Sequence, residues 1–252
     1  MAMTEKAWFY EKTFRLGTSE CDLNGAWRLG TLLEALQDTA NEHGKEQHLW
    51  FTEMKEKNAT WVLYHTELAI DRVPLLGESI RIQSFSKRPR AMFCPRYYRL
   101  LDEQGQSVAR AGALLMLMDL TTRRAVMPAS LGVEIPDAPD LEPTIKIPML
   151  TPTLEGETDS CVYLPQYTDY DVNGHVNNVR YADWLCNMLG TQLLQECEIS
   201  AVSIEYGREI TRGEPVELVL TRREMQFLCT GFFDGKRAFG IYGQMRLRNC
   251  RQ

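Results

Sequence analysis

An imidazole flanked by a carboxylate and a carboxamide is a proton-transfer group with its own positioning contacts. This chain holds such an arrangement in residues 168–178, TDYDVNGHVNN. Imidazole is the side chain best suited to acid–base work near neutral pH. Asp171 and Asn173 can orient it or a substrate, which makes Asp171, Asn173 and His175 candidate catalytic residues. The segment is expected to open a helix, whose unpaired N–H groups and positive dipole end favour an oxyanion beside Gly174. The competing reading is structural, with Asp171 and Asn173 as helix caps and His175 as an incidental first-turn residue. A second candidate base is Glu209 in IEYGREI, on the strand expected after that helix. Its plain alternative is an exposed glutamate paired with Arg208 or Arg212.

The same turn occurs 149 residues earlier, in SECDLNGAWRL, where Asp22 and Asn24 recur but Ala26 replaces the histidine. Capping needs only the features that both copies share. The histidine is therefore dispensable for the turn, and its presence in one copy points to chemistry there. Glu209 behaves alike: at the offset of 136 that relates Gly77-Glu78 to Gly213-Glu214, its counterpart is Val73.

The elements that must position these groups also come in two sets. After the first turn Leu29, Leu32, Leu33, Leu36, Ala40 and His43 recur at helical spacing, with Gly44 as the expected cap; after the second Val176, Val179, Ala182, Leu185, Met188 and Leu189 do so, ending at Gly190. Strand-like runs follow in both halves, TWVLYHTELAI and ESIRIQSF, then AVSIEYGREI and PVELVLTR. Hairpins are expected at DEQGQ and FDGKR, where Gly105 and Gly235 can take positive φ. The fall in offset from 149 to 136 places extra residues in the first half, at EHGKEQHLWFTEMKEK. Six of the eleven prolines fall within residues 128–152, which reads as an extended linker. The expected organisation is an N-terminal unit over 1–127, a Pro-rich linker over 128–158 and a C-terminal unit over 159–252. Each unit is a helix packed on a curved antiparallel sheet, an α+β class.

With 252 residues, 44% apolar and 25% charged, the chain has an ordinary globular balance. No apolar run approaches the 18 or so residues of a membrane span, and the start MAMTEKAWFYEK lacks a signal-peptide pattern, so a cytoplasmic protein is expected. Seven cysteines with no C-x-x-C pair, together with four scattered histidines, fit neither a disulfide framework nor a metal site. A net charge of −6 argues against nucleic-acid binding.

DYDVNGHVNNVRYADW followed by IEYGREI closely resembles the motifs of plant and bacterial acyl-acyl-carrier-protein (acyl-ACP) thioesterases. TSECDLNGAWRLGTLLEALQDTANEHG and DLTTRRAVMP extend the resemblance over most of the chain. It implies a tandem (double) hotdog fold with catalytic groups in the second half: Asp171, Asn173, His175 and Glu209. It also implies hydrolysis of a fatty acyl thioester without cofactor or metal. Many plant members have cysteine after that glutamate; here it is Ile210, so carboxylates and imidazole must act alone. An acyl-CoA thioesterase, a hotdog dehydratase and a non-catalytic acyl-binding protein remain as alternatives. The acyl chain is expected in the first half, lined by residues such as Leu29, Leu33, Trp61 and Ala69. The implied partner is an acidic acyl carrier protein, with no membrane span and a homodimer left open. Its docking patch is expected either at Lys87, Arg88 and Arg90, with Arg96 and Arg99 in the same acid-free stretch, or at Arg180, Arg208 and Arg212.

Overall fold

The computed structural model describes residues 8–149, 152–211 and 213–248. The first half runs β1 (Phe9–Arg15), α1 (Leu29–Glu46), α2 (Phe51–Glu56), β2 (Ala59–Ile70), β3 (Ser79–Ser86), β4 (Cys94–Leu101), β5 (Ser107–Asp119) and the short β6 (Ala125–Val126). The second runs β7 (Glu157–Tyr163), α3 (Arg180–Leu189), α4 (Thr191–Glu196), β8 (Cys197–Tyr206), β9 (Val216–Arg223), β10 (Gln226–Phe233) and β11 (Lys236–Leu247). All strands join one antiparallel sheet in the order β1-β3-β4-β5-β2-β8-β11-β10-β9-β7, with β6 beside β5. The order reads the same outward from the β2–β8 seam, so each half is one hotdog unit and the two share a sheet.

Apolar residues on the inner face of this sheet pack against α1 and α3. Trp184, Leu185, Phe227, Phe239, Leu32 and Leu68 are among the buried side chains of the common core. Burying such a side chain contributes about 1.5–3 kcal/mol. In β2 the alternation that should put every second residue inward fails between Leu63 and Leu68, and a register shift between Leu63 and His65 restores it. One bulged residue, Tyr64, lets Trp61 and Leu63 face the same way as Leu68 and Ile70. Gly105 and Gly235 take φ of +80° and +67° in their hairpins.

Three local expectations are corrected. Gly44 does not end α1: the helix runs on to Glu46, and Gly44 is a buried residue of its last turn. Val176 and Val179 precede α3, which starts at Arg180 and stops at Gly190 with φ +83°. The proline-rich segment is no free linker, for it crosses the outer face of the first half. Ala138 N–H donates to Ser86 O (3.1 Å), Thr144 Oγ1 to Ala111 O (2.9 Å), and Ile145 and Ile147 fill the space over Gly112. Its expected end at 158 falls inside β7.

Candidate active site

The Asp-x-Asn-Gly turn folds alike in both halves. In the second, Asp171 N–H donates to the carbonyl of His175 (2.9 Å) and Gly174 N–H to that of Asp171 (3.0 Å). Asp171 Oδ1 accepts from the backbone N–H of Asn173 (2.8 Å) and His175 (3.4 Å). In the first half the same four bonds join Asp22, Asn24, Gly25 and Ala26, at 2.8–3.0 Å. The carboxylate closes the turn on itself, an Asx-type arrangement in which the side chain replaces a backbone acceptor. Neither aspartate caps a helix. His175 sits five residues ahead of α3, and the N–H of Val179, at the helix start, is met by Asn177 Oδ1 (3.3 Å). The helix-dipole argument for His175 therefore lapses. Gly174 is also corrected as an oxyanion donor, since its N–H is spent within the turn.

Two peptide groups bring the histidine and the glutamate together. Val176 N–H donates to Ile210 O (2.9 Å), as Trp27 N–H does to Pro74 O (2.9 Å) in the first half. This bond fixes His175 beside Glu209, with Nε2 3.6 Å from Oε2. Glu209 lies in the loop beyond β8 rather than on the strand. Besides His175, its carboxylate is met not by Arg208 but by Arg123, from the turn between β5 and β6, which holds Oε2 at 2.5 Å. Arg208 pairs with Asp234 instead (3.1 Å). Sequence reasoning missed Arg123, whose single trace is that it falls in DLTTRRAVMP. It also missed Asp169, a buried carboxylate that accepts from Tyr163 Oη (3.0 Å) and Gln166 N–H (2.6 Å) and so anchors the motif loop. Ile210 is fully buried in the core and offers no group to the site. Beneath the motif lies Tyr181, whose hydroxyl is pushed well up by burial and then by Tyr206, Glu209 and Asp171.

A cavity of about 1250 Å³ ends at this motif. Its walls come from α1 (Leu33, Leu36, Ala40), β2 (Trp61, Leu63) and β5 (Ala113, Leu115), while Asp171, Asn173, Asn178 and Arg180 stand at the second-half end. Of the residues expected to line it, Leu33 and Trp61 do. Leu29 is solid core, and Ala69 lies outside the lining because the bulge at Tyr64 turns it to the outer face with Glu67. Arg180 donates to Asp183 (2.9 Å), and its buried Nε has no partner among the described residues.

The expected docking stretch does not form one patch. Lys87 and Arg88 pair with Asp137 (3.5 and 2.8 Å), Arg90 turns the β3–β4 hairpin with Phe93, Arg99 covers the Phe85 ring, and Arg96 is buried. Arg212 lies outside the described residues. Among the described residues no cluster of His, Cys, Asp or Glu has the makings of a metal site, and no helix is long and apolar enough to cross a membrane.

Sequence profiles for the acyl-ACP thioesterase N-terminal and C-terminal domains match residues 7–129 and 154–234, both halves in order. The chain belongs to the acyl-ACP thioesterase family. A chloroplastic acyl-acyl-carrier-protein hydrolase of Cuphea viscosissima is 26% identical over 222 residues, 83% of this chain and 54% of that protein. A chloroplastic palmitoyl-acyl carrier protein thioesterase of Gossypium hirsutum is 26% identical over 231 residues, 84% of this chain and 54% of that protein. The chain thus spans about half the length of the curated relatives it matches. Two solved structures share the fold end to end. An acyl-ACP thioesterase from Bacteroides thetaiotaomicron has a TM-score of 0.80 at 21% identity, covering 97% of this chain and 100% of that one. The 12:0-ACP thioesterase from Umbellularia californica has a TM-score of 0.78 at 19% identity, covering 98% and 100%. The fold is the tandem hotdog of this family.

Proposed function

We propose that the chain hydrolyses the thioester linking a fatty acyl group to an acyl carrier protein, releasing free acid and the carrier's thiol. The observation that carries this reading is the cavity, lined by both halves and reaching the second-half Asp171–Asn173 turn, whose backbone is bonded to His175; the His175–Glu209 pair adjoins that turn and is not itself part of the lining. Each methylene lodged against such walls contributes about 0.8 kcal/mol, which favours an acyl chain over a polar ligand. Glu209 and His175 draw a proton from water as its oxygen attacks the thioester carbon. The C–S bond then breaks, and the proton goes to the departing sulfur. In a second assignment Asp171 attacks and water cleaves the resulting anhydride. Asp171 Oδ1 already serves two backbone N–H groups, which supports the first, whereas Oδ2, on a residue of the cavity lining, meets only Asn173 Nδ2 (3.3 Å) and is the oxygen the second would use. For the carrier, the exposed Tyr167 and Val172 flank the motif, with Arg123, Arg180 and Arg208 around it, each paired with a carboxylate of this chain, and surface pairing of that kind acts on encounter rate. A reducing compartment such as the cytoplasm fits the six free cysteines described.

The test is incubation with ladders of acyl-ACP and acyl-CoA, with mass analysis of the released acids. Acid release from acyl-ACP in preference to acyl-CoA supports the assignment. Turnover of acyl-CoA alone overturns the carrier, and a folded protein that releases no acid overturns the reaction.

A further inference from the structure

The interior of the first half is not uniformly apolar. Arg96, on the inner face of β4, is only 8% exposed, and its charge has no carboxylate partner among the described residues. Its Nη1 donates to His43 Nδ1 (2.8 Å) and Ser84 Oγ (2.8 Å), and its Nη2 to Gln47 Oε1 (3.4 Å). A guanidinium carries five N–H donors, so these bonds leave Nε–H and one Nη2–H without a partner among the described residues. Those two donors form the edge that grips a carboxylate or another oxygen acceptor side-on. A buried cation with no carboxylate partner among the described residues carries a large desolvation cost, and burial is the main influence lowering its affinity for its proton. Packing alone would be served as well by a neutral side chain.

Arg96 lines a small chamber of about 80 Å³, together with Ser86, Cys94 and Ile135. The chamber shares Ala40, Asn41, Trp50, Trp61 and Leu115 with the large cavity. It therefore adjoins that cavity beside the C-terminal half of α1, where Asn41 adds a further polar group to the shared wall.

We propose that this chamber is a subsite for the far end of an acyl chain that carries an oxygen acceptor there, a hydroxyl or a carboxylate, held by the Arg96 guanidinium. The proposal rests on the reading that the large cavity holds the acyl chain.

Acyl-pantetheine amides test it without hydrolysis, because the amide replaces the scissile thioester. At each length of a chain-length ladder, amides ending in methyl, hydroxyl or carboxylate are titrated into the full chain by calorimetry. At the best length an oxygenated end binds at least about tenfold more tightly than methyl, the scale of one hydrogen bond to a charged group. Arg96→Met abolishes that preference while the methyl-ended amide binds as well or better, and Arg96→Lys keeps part of it. Tightest binding of the methyl end by the unaltered protein, or a preference that survives Arg96→Met, overturns the subsite. Should Arg96→Met lack a cooperative thermal transition, the unaltered protein and Arg96→Lys decide. Equal binding of all three ends sinks the subsite and leaves the acyl cavity standing; no binding by any amide sinks both.

Discussion

His175 and Glu209 meet because the peptide groups next to them are bonded, and both side chains remain partly exposed, at 31% and 41%. Replacing either by alanine removes no core packing. His175→Ala and Glu209→Ala are each expected to lower turnover about a hundredfold or more, the usual scale for a lost acid–base group, with the thermal midpoint nearly unchanged. Near-normal turnover by a folded variant would remove that residue from the mechanism. Arg123 and His175 meet the same oxygen of Glu209, which in the proposed mechanism makes Arg123 a positioning residue for that carboxylate. Arg123→Ala should reduce kcat on a small thioester about tenfold with KM unaffected, and Arg123→Lys should restore part of it. A change confined to KM would assign Arg123 to substrate binding. The proposed chemistry uses no thiol. Burial pushes Cys94, Cys186 and Cys229 up to about 12, leaving them thiols at neutral pH, whereas Cys161 is exposed. Iodoacetamide at pH 7 should label Cys161 ahead of those three and spare activity, as peptide mapping alongside a rate assay will show; inactivation tracking Cys161 labelling would contradict a cysteine-free mechanism.

The two main helices differ in length for a reason that the cavity makes plain. α1 has 18 residues and α3 has 10, and the added turns, with α2 behind them, supply Ala40, Asn41, Trp50 and Phe51 as lining. The second half lacks that extension, and its helix packs directly on Phe239 through Tyr181, ring centroids 4.1 Å apart. Substrate length should therefore respond to first-half changes. Leu33→Ala, which deepens the cavity, is expected to move the released acids toward longer chains, and Ala113→Phe, which fills it, toward shorter ones. Met188→Ala on α3 should cost about 1–2 kcal/mol of stability without moving the product profile. The product-length distribution of each folded variant is the measurement, and a profile shifted by Met188→Ala but not by Leu33→Ala would reverse the division between halves.

Across the whole molecule, a single ladder between β2 and β8 joins the units into one sheet, and Glu209 is held by an arginine from the other half. The segment between the halves packs on the first half. Ile145 and Ile147 press on Gly112, where a Cβ would come within 2.8 Å of Ile147, so the outer face of the first sheet is part of a packed layer. The double substitution Ile145→Ser and Ile147→Ser is expected to destabilise the chain by about 2–4 kcal/mol in urea unfolding. Because that layer lies across the sheet from the cavity, product lengths should stay as they are. An unchanged unfolding midpoint would return the segment to the status of a free linker.

The repeat is legible along the chain, because apolar spacing and turn chemistry are local. The two Asp-x-Asn-Gly turns, the helical stripe after each and the hairpin glycines are all visible without a neighbour in space. The sequence also singled out His175 and Glu209, since an internal copy that keeps the turn while losing both groups separates chemistry from folding. Long-range packing decided the rest. A one-residue bulge at Tyr64 reverses which side of β2 points inward, and so Trp61 lines the cavity while Ala69 does not. Arg96 and Arg99 belong to one basic stretch in the chain, yet strand alternation sends one into the interior and the other over an outer-face ring. Charge and spacing along a chain do not record which face of a sheet a side chain will take. That is set by register, and register is fixed only when the sheet closes over its helices.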